Sequence, residues 1–183
     1  MKLISCCQWF FFSLLLLISG CHTASRLPYP NLDIKLVEKI IKSERWKVTG
    51  IFSITHNGER ITARFLWSQY QDNYQIEVFS PLSMENLKII GDSSKVELQY
   101  GHQRRIAKTF EELVRKQLGY PLSIVNLNCW LFGLSASKIL KNTEVVFNQY
   151  YFHKQKELHL PKLVTIFYEE TLIKIKINEH SFQ

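Results

Sequence analysis

The chain has 183 residues, of which 46% are hydrophobic and 13% aromatic. A chain of this size and composition can bury one ordinary core, which excludes an intrinsically disordered protein. It carries 23 Lys and Arg against 16 Asp and Glu, and the net charge of +7 favours nucleic acid or anionic lipid as a partner without distinguishing them.

An apolar segment at residues 9–18 follows a short basic start and is the first element of the chain. Its length is typical of a secretory signal and falls short of the roughly 20 residues that span a bilayer. The motif Ile-Ser-Gly-Cys at 18–21 comes next and resembles the bacterial lipobox. This resemblance implies removal of residues 1–20, an N-acyl group and an S-diacylglycerol on Cys21, and, because His22 rather than Asp follows, export to the outer membrane. An ordinary signal peptide and an uncleaved anchor are the alternatives.

The four cysteines stand at positions 6, 7, 21 and 129. By this resemblance, two of them leave with the signal and Cys21 becomes a thioether, which leaves Cys129 without a partner for a disulfide or a zinc site. We expect Cys129, beside Trp130 in an apolar stretch, to be a small buried residue. Residues 21–30 are predicted to be the lipidated cysteine and a polar tether, and residues 31–183 a single domain.

A helix and a series of strands follow the tether. Asn31 is predicted to cap a helix that ends near Ser43, because apolar residues recur there at helical spacing. Asn57-Gly58 is a strong hairpin signal within a segment whose apolar period is two. The alternation predicts an antiparallel meander with a loop at 81–86 and strands at 46–54, 61–67, 74–78, 87–90 and 96–100.

Two helical segments interrupt the strands. Thr109 with Glu112 forms a capping box that opens the first, and Ser123 is predicted to cap the second, which ends before Gly133. The pattern predicts a mainly β (α+β) fold, in which helices cover one face of a strongly curved antiparallel sheet. The strands resume at 145–152, 163–168 and 172–177, with a hairpin at Glu169-Glu170.

The sequence carries no pattern typical of an enzyme or of a metal site. The three Asp residues lie in turns or in a helix first turn, and the six His residues are scattered without ligand spacing. The basic residues lack the aromatic-basic signature of an RNA-binding module. We therefore expect no catalytic residue, no metal, no cofactor and no nucleic acid partner.

Short motifs along the mature chain resemble, in order and spacing, the family of the outer-membrane lipoprotein receptor LolB. The resemblance covers approximately residues 46–177. Its motifs are Trp46-Lys47-Val48-Thr49-Gly50, Ala63-Arg64-Phe65-Leu66-Trp67, Ser80-Pro81-Leu82, Tyr120-Pro121-Leu122, Trp130-Leu131-Phe132-Gly133-Leu134 and Leu160-Pro161.

The resemblance implies an unclosed antiparallel β-barrel whose helices form a lid over a hydrophobic cavity. It also implies a monomer, anchored by lipid to the periplasmic face of the outer membrane. Such a receptor accepts acylated lipoproteins from the periplasmic carrier LolA and inserts them among the phospholipids of the inner leaflet. No bond is broken, so the resemblance implies no enzymatic activity.

The same resemblance assigns roles to individual residues. Trp67 and Trp130 match the tryptophans of the family's strand and lid motifs, and Leu82 matches a protruding leucine that assists membrane insertion. Ordinary core packing is the alternative for each cavity residue, and a leucine folded onto the sheet is the alternative for Leu82. The acyl-chain cavity candidates, with Phe65, Ile76 and Val78 added by face parity, are Trp46, Phe65, Trp67, Ile76, Val78, Leu127, Trp130 and Leu131.

Two other functional classes stay open at this stage. The chain could be an envelope lipoprotein that binds a hydrophobic ligand, or scaffolds a complex, without transferring anything. It could also be an envelope hydrolase, although no nucleophile-base pair can be assembled from its residues. The sequence also departs from the family pattern, since Ser83 and Met84 follow Leu82 where the family usually continues with Gly, and His180 stands where a terminal tryptophan is usual.

Overall fold

The computed structural model describes residues 32–80, 86–118, 122–135 and 142–183. These residues belong to one compact unit, Asn31–Gln183. The predicted signal, Cys21 with its tether, the predicted cap Asn31 and Leu82 lie outside the described residues. In the part of the chain that is described, no helix combines the length and the apolar character needed to cross a membrane.

The described residues form three helices and nine strands. The helices are α1 (Ile34–Ser43), α2 (Phe110–Leu118) and α3 (Ile124–Leu131). The strands are β1 (Arg45–His56), β2 (Glu59–Tyr70), β3 (Asn73–Phe79), β4 (Leu87–Gly91), β5 (Val96–Tyr100), β6 (Gln103–Ala107), β7 (Thr143–His153), β8 (Leu158–Tyr168) and β9 (Thr171–Phe182).

All nine strands join one antiparallel sheet in the order β6-β5-β4-β3-β2-β1-β9-β8-β7. The edge strands β6 and β7 do not pair with each other, so the barrel is unclosed. Residues of β1 to β5, β9, α2 and α3 surround a common cavity, which requires the sheet to curve around it. The predicted fold class, an unclosed curved sheet with helices over its concave face, is confirmed.

The β1–β2 hairpin forms where the sequence predicts it. His56 pairs with Glu59, which leaves Asn57 and Gly58 as a two-residue turn with φ angles of 49° and 81°. Positive φ at both positions matches the right-handed twist of the flanking strands, and Asn and Gly adopt it at low cost. The hairpin fixes the register that directs one face of β1 and β2 toward the cavity.

Gly50 lies where β1 packs closely against its two neighbouring strands. A Cβ atom at this position would overlap the Phe65 ring and the backbone carbonyl of Lys176. The register between β1 and β9 also shifts between Thr49 and Gly50. A glycine at a bulge lets a neighbouring chain approach closely, and here it makes room for the Phe65 side chain.

Side-chain caps define where the helices begin. Asp33, not Asn31, caps α1, and its carboxylate accepts from Leu36 N at 3.0 Å. The capping box predicted for α2 is present: Thr109 Oγ1 accepts from Glu112 N at 3.1 Å, and the Glu112 carboxylate accepts from the preceding backbone N–H, that of Lys108, at 3.1 Å.

The predicted cap of α3 does not form. Ser123 occupies the N-cap position, but its side chain accepts no hydrogen bond there. Glu111, on α2, instead accepts from Ile124 N at 3.2 Å. A carboxylate from the preceding helix thus satisfies the helix start and ties the two covering helices together.

Aromatic side chains fill one end of the concave face. Trp46 is fully buried and lies 5.1 Å from Phe132 and 5.9 Å from Trp67, measured between ring centroids. Val37 and Ile40 of α1 are buried in the same cluster. Cys129, expected to be buried, is a half-buried free thiol, and desolvation raises its pKa. Because side chains fill this end, the cavity lies toward the other end of the sheet.

Candidate functional site

A cavity of about 490 Å³ lies between the concave face of the sheet and helices α2 and α3. Its volume falls within the range of ligand-binding pockets, roughly 300–1,000 Å³. Its walls come from six strands, the two helices and two connecting residues. The lining residues are Phe52, Ile54, Ile61, Ala63, Phe65, Trp67, Ile76, Val78, Ser80, Leu87, Ile89, Leu98, Tyr100, Phe110, Leu113, Val114, Leu122, Leu127, Leu131, Ile173 and Ile175.

The alternation of each strand produces this wall. On β2, Ala63, Phe65 and Trp67 face the cavity, whereas Thr62 and Arg64 point to the outer face. Cross-strand pairing continues the apolar surface, because Phe65 is opposite Val78 and Trp67 is opposite Ile76. The inward side chains of neighbouring strands therefore form one continuous apolar surface.

The wall is apolar almost throughout. Its described residues include no charged side chain, and their side-chain polar atoms are the hydroxyls of Ser80 and Tyr100 and the indole nitrogen of Trp67. Such a wall offers hydrophobic attraction, which is non-directional, and little hydrogen bonding. Such a wall suits a flexible apolar chain.

The cavity opens at the end of the sheet that carries the Asn57-Gly58 turn. The side chain of Ile61 is 60% exposed and that of Tyr100 is 41% exposed, whereas Trp67 toward the other end is 4% exposed. Ser80 and Leu87, which flank the segment containing Leu82, also line the cavity.

Buried polar contacts attach α3 to the sheet. Asn128 Nδ2 donates to Gln69 Oε1 on β2 at 3.0 Å. The carbonyl oxygen of Leu131 lies 2.9 Å from Nε2 of His180 on β9. Because a carbonyl can only accept, His180 carries its proton on Nε2, and Tyr151 donates its hydroxyl proton to His180 Nδ1 at 2.7 Å. Burial lowers the pKa of His180 to about 4, so the imidazole is neutral near pH 7.

Six of the predicted cavity residues lie in the lining: Phe65, Trp67, Ile76, Val78, Leu127 and Leu131. The structure places Trp46 and Trp130 outside it, where they are 0% and 1% exposed. Trp46 faces the concave side, but Phe132 packs on it and fills the space above. Cys21 and Leu82 belong to the part of the chain without described structure.

Several lining residues are absent from the sequence-based set. Phe110, Leu113 and Val114 recur at helical spacing on α2 and close the cavity from above. Ile173 and Ile175 share a face of β9. Leu98 lies on β5, which is separated from β9 by strands β1 to β4 in the sheet order. The apolar spacing within each of these elements is visible in the sequence. The strand pairing that brings the elements to one cavity is not.

The chain matches a known protein family. The family model described as outer membrane lipoprotein LolB matches residues 44–179. An outer-membrane lipoprotein LolB of Coxiella burnetii (strain RSA 493 / Nine Mile phase I) is 33% identical over 129 residues, covering 66% of this chain and 61% of that protein. The chain thus covers less than two thirds of the length of this relative. An outer-membrane lipoprotein LolB of Cellvibrio japonicus (strain Ueda107) is 28% identical over 183 residues, covering 88% and 90%.

Solved structures show weaker similarity. A LolA superfamily protein from Nitrosomonas europaea is 7% identical and aligns over 84% of this chain and 94% of its own, with a TM-score of 0.47. A DUF1329 family protein from Desulfovibrio piger is 8% identical and aligns over 80% of this chain and 89% of its own, with a TM-score of 0.48.

Proposed function

Because the chain belongs to the LolB family of outer-membrane lipoproteins, we propose that it receives acylated lipoproteins and inserts them into the outer membrane. The donor in this proposal is the periplasmic carrier LolA, and the acceptor is the phospholipid of the inner leaflet. The proposed reaction moves an acyl chain between two apolar environments and breaks no covalent bond. It requires no cofactor and no catalytic residue.

The apolar cavity is the observation that carries this proposal. Its volume of about 490 Å³ and its wall without charged side chains, among the residues described, suit acyl chains better than a polar substrate. Hydrophobic attraction is proportional to contact area and lacks direction, so a chain can slide along the wall without exchanging specific bonds. A transfer protein needs this property, because it must release what it binds.

The position of the mouth supports a route to the membrane. Ser80 and Leu87 both line the cavity near its open end. In the sequence, residues 81–86 connect them. We propose that Leu82 in this segment enters the bilayer and opens a path for the acyl chain. The lipid that we propose on Cys21 holds the protein at the membrane, since three acyl chains anchor far more strongly than one.

The direct test is a transfer assay with purified components. LolA loaded with a labelled acylated lipoprotein is mixed with vesicles that contain this protein, and the label in the vesicles is measured after flotation. We expect transfer to depend on this protein. Release of lipoprotein from the carrier without its appearance in the vesicles would favour the rival function, a lipoprotein that binds hydrophobic ligands without inserting them.

A further inference from the structure

The outer face of the three central strands is strongly basic. On β1, β2 and β9, the residues that alternate with the cavity wall point away from it. The carboxylates there are Glu179 on β9 and, on the neighbouring β3, Glu77. Six exposed cations lie on the three strands, and we call this surface the basic outer face: Arg45, Lys47, Arg60, Arg64, Lys174 and Lys176.

The strand register gathers these cations into one area. Arg64 and Lys176 both pair with Ile51, from opposite sides. Neighbouring strands lie about 4.8 Å apart, so the backbones of these two residues are about 10 Å apart. Lys174 follows on the same face of β9, two residues from Lys176. A spacing of this order is close to the Debye length at physiological salt, about 8 Å, so the charges act together on a nearby surface.

The cations of the basic outer face are not neutralised within the fold. None of the six forms an ion pair with a described residue, whereas Arg104 pairs with Glu97 and Lys156 with Glu44 elsewhere in the structure. Arg45 instead lies over the ring of Tyr70, 4.9 Å from its centroid. The charges are therefore free to attract an external anionic surface.

We propose that the basic outer face docks on the anionic phospholipid headgroups of the membrane. Clustered Lys and Arg side chains beside a membrane bind anionic lipids, each adding a comparable increment of attraction. The register also places this face beside the mouth, since Arg64 pairs with Phe79, the residue before Ser80 in the cavity lining. Docking thus brings this side of the mouth close to the bilayer. The inference rests on the proposed outer-membrane location but not on transfer activity.

Hydroxyl-radical footprinting of the full-length acylated protein in vesicles tests this proposal. Tyr70 lies on the basic outer face and is 42% exposed, and Ile106 on the distant strand β6 is 67% exposed and serves as an internal control. We expect oxidation of Tyr70 to fall several-fold when phosphatidylglycerol is added to phosphatidylcholine vesicles. Oxidation of Ile106 should stay unchanged.

Charge reversal supplies matched variants. Arg64→Glu with Lys176→Glu should abolish the protection of Tyr70, and raised salt should do the same in the wild type. Lys95→Glu with Arg115→Glu changes the net charge equally at exposed positions elsewhere and should keep the protection. Equal melting temperatures of both variants would show that folding is intact.

Equal oxidation of Tyr70 in the two kinds of vesicle would overturn the proposal. Protection that appears only when an acidic carrier protein is added would also overturn it, in favour of a protein partner for this face. The transfer assay tests the proposed function independently of this docking inference. Protection without transfer would contradict the proposed function alone, and transfer without protection would contradict this inference alone.

Discussion

At the scale of single residues, His180 gives the fold a definite response to pH. Its folded-state pKa of about 4 lies below the usual value of 6.5 because the side chain is desolvated. Between these two values the unfolded chain binds a proton that the folded protein does not. Stability should therefore fall as pH decreases from about 6.5 toward 4, with a maximum slope from this residue of about 1.4 kcal/mol per pH unit.

This pH dependence is measured by urea unfolding at pH 7 and pH 5. His180→Gln keeps a donor for the Leu131 carbonyl but cannot take up the proton, so the difference in unfolding free energy between the two pH values should shrink. His159→Gln changes an exposed histidine on β8 and should leave the difference in place. An unchanged difference in His180→Gln would show that other groups cause the acid response.

Leu82 is the residue that we propose to enter the bilayer. We expect Leu82→Glu to accept lipoprotein from the carrier normally but to fail in insertion, because a carboxylate enters the bilayer interior at a cost of about 2.5–3.5 kcal/mol or more. Leu82→Ile, which keeps the apolar volume, should retain insertion. The measurement separates lipoprotein bound to this protein from lipoprotein in vesicles. Normal insertion by Leu82→Glu would contradict the role proposed for this residue.

The cavity wall can be tested with a pair of substitutions on one strand. Val78 lines the cavity and is half-buried, whereas Gln75 points to the outer face of the same strand. Val78→Glu should weaken the binding of a fluorescent fatty-acyl probe at least tenfold, because the carboxylate must be desolvated or must exclude the chain. Gln75→Glu adds the same charge outside and should bind the probe normally. Equal affinities would show that the probe binds elsewhere.

The residues at the closed end show where face parity stops being informative. Trp46 and Phe65 share a face in the hydrophobic pattern, yet Phe65 borders the cavity and Trp46 is fully covered. The difference arises because Phe132, far away in the chain, packs on Trp46. Parity predicts which face is inside, but it cannot predict which part of that face is filled by residues from another element.

At the scale of secondary-structure elements, two glycines of the first hairpin are required for different reasons. Close contacts constrain Gly50, whereas a positive φ constrains Gly58. A side chain at Gly58 meets no neighbouring atom, so Gly58→Ala should lower stability only through its positive φ, by about 1 kcal/mol. Gly50→Ala should lower it further, by about 1–3 kcal/mol, because the added methyl overlaps Phe65 and the Lys176 carbonyl. Chemical denaturation of both variants measures the difference, and equal losses would contradict the close contact at Gly50.

The strands were predictable where one face is buried and the other is solvated. The β1–β2 hairpin, the meander to β5 and the Glu169-Glu170 hairpin match their predictions because alternation and turn residues agree. Strand β6 was missed, since four of its five residues are exposed and it lies at the edge of the sheet. An edge strand without a buried face carries no alternating pattern.

The last strand shows how a bulge hides an element. The isoleucines of β9 alternate up to Ile177, where the predicted strand ends, yet β9 continues to Phe182. The register shift opposite Gly50 inserts an additional residue, so the buried positions resume at His180 and Phe182 with the opposite parity. A pattern search with a fixed period of two stops at such a point.

At the scale of the whole molecule, the unclosed sheet explains how a small protein keeps an apolar cavity open at one end. A closed small barrel fills its interior with side chains, whereas here β6 and β7 stay apart and helices cover the concave face. Aromatic residues fill the closed end, and the cavity opens at the opposite end, near the Asn57-Gly58 turn. The arrangement separates a densely packed base from an accessible mouth, which the proposed transfer requires.

We propose that the acyl chain of a lipoprotein passes through this cavity during transfer. This proposal is tested by loading the carrier with a lipoprotein whose acyl chain bears a photoreactive group, and by irradiating during transfer to vesicles. Mass spectrometry then locates the cross-linked residues. We predict cross-links to lining residues such as Ile89, Leu98 and Leu113. Efficient transfer with cross-links confined to the outer face of the sheet, or with none to this protein, would show that the acyl chain does not pass through the cavity.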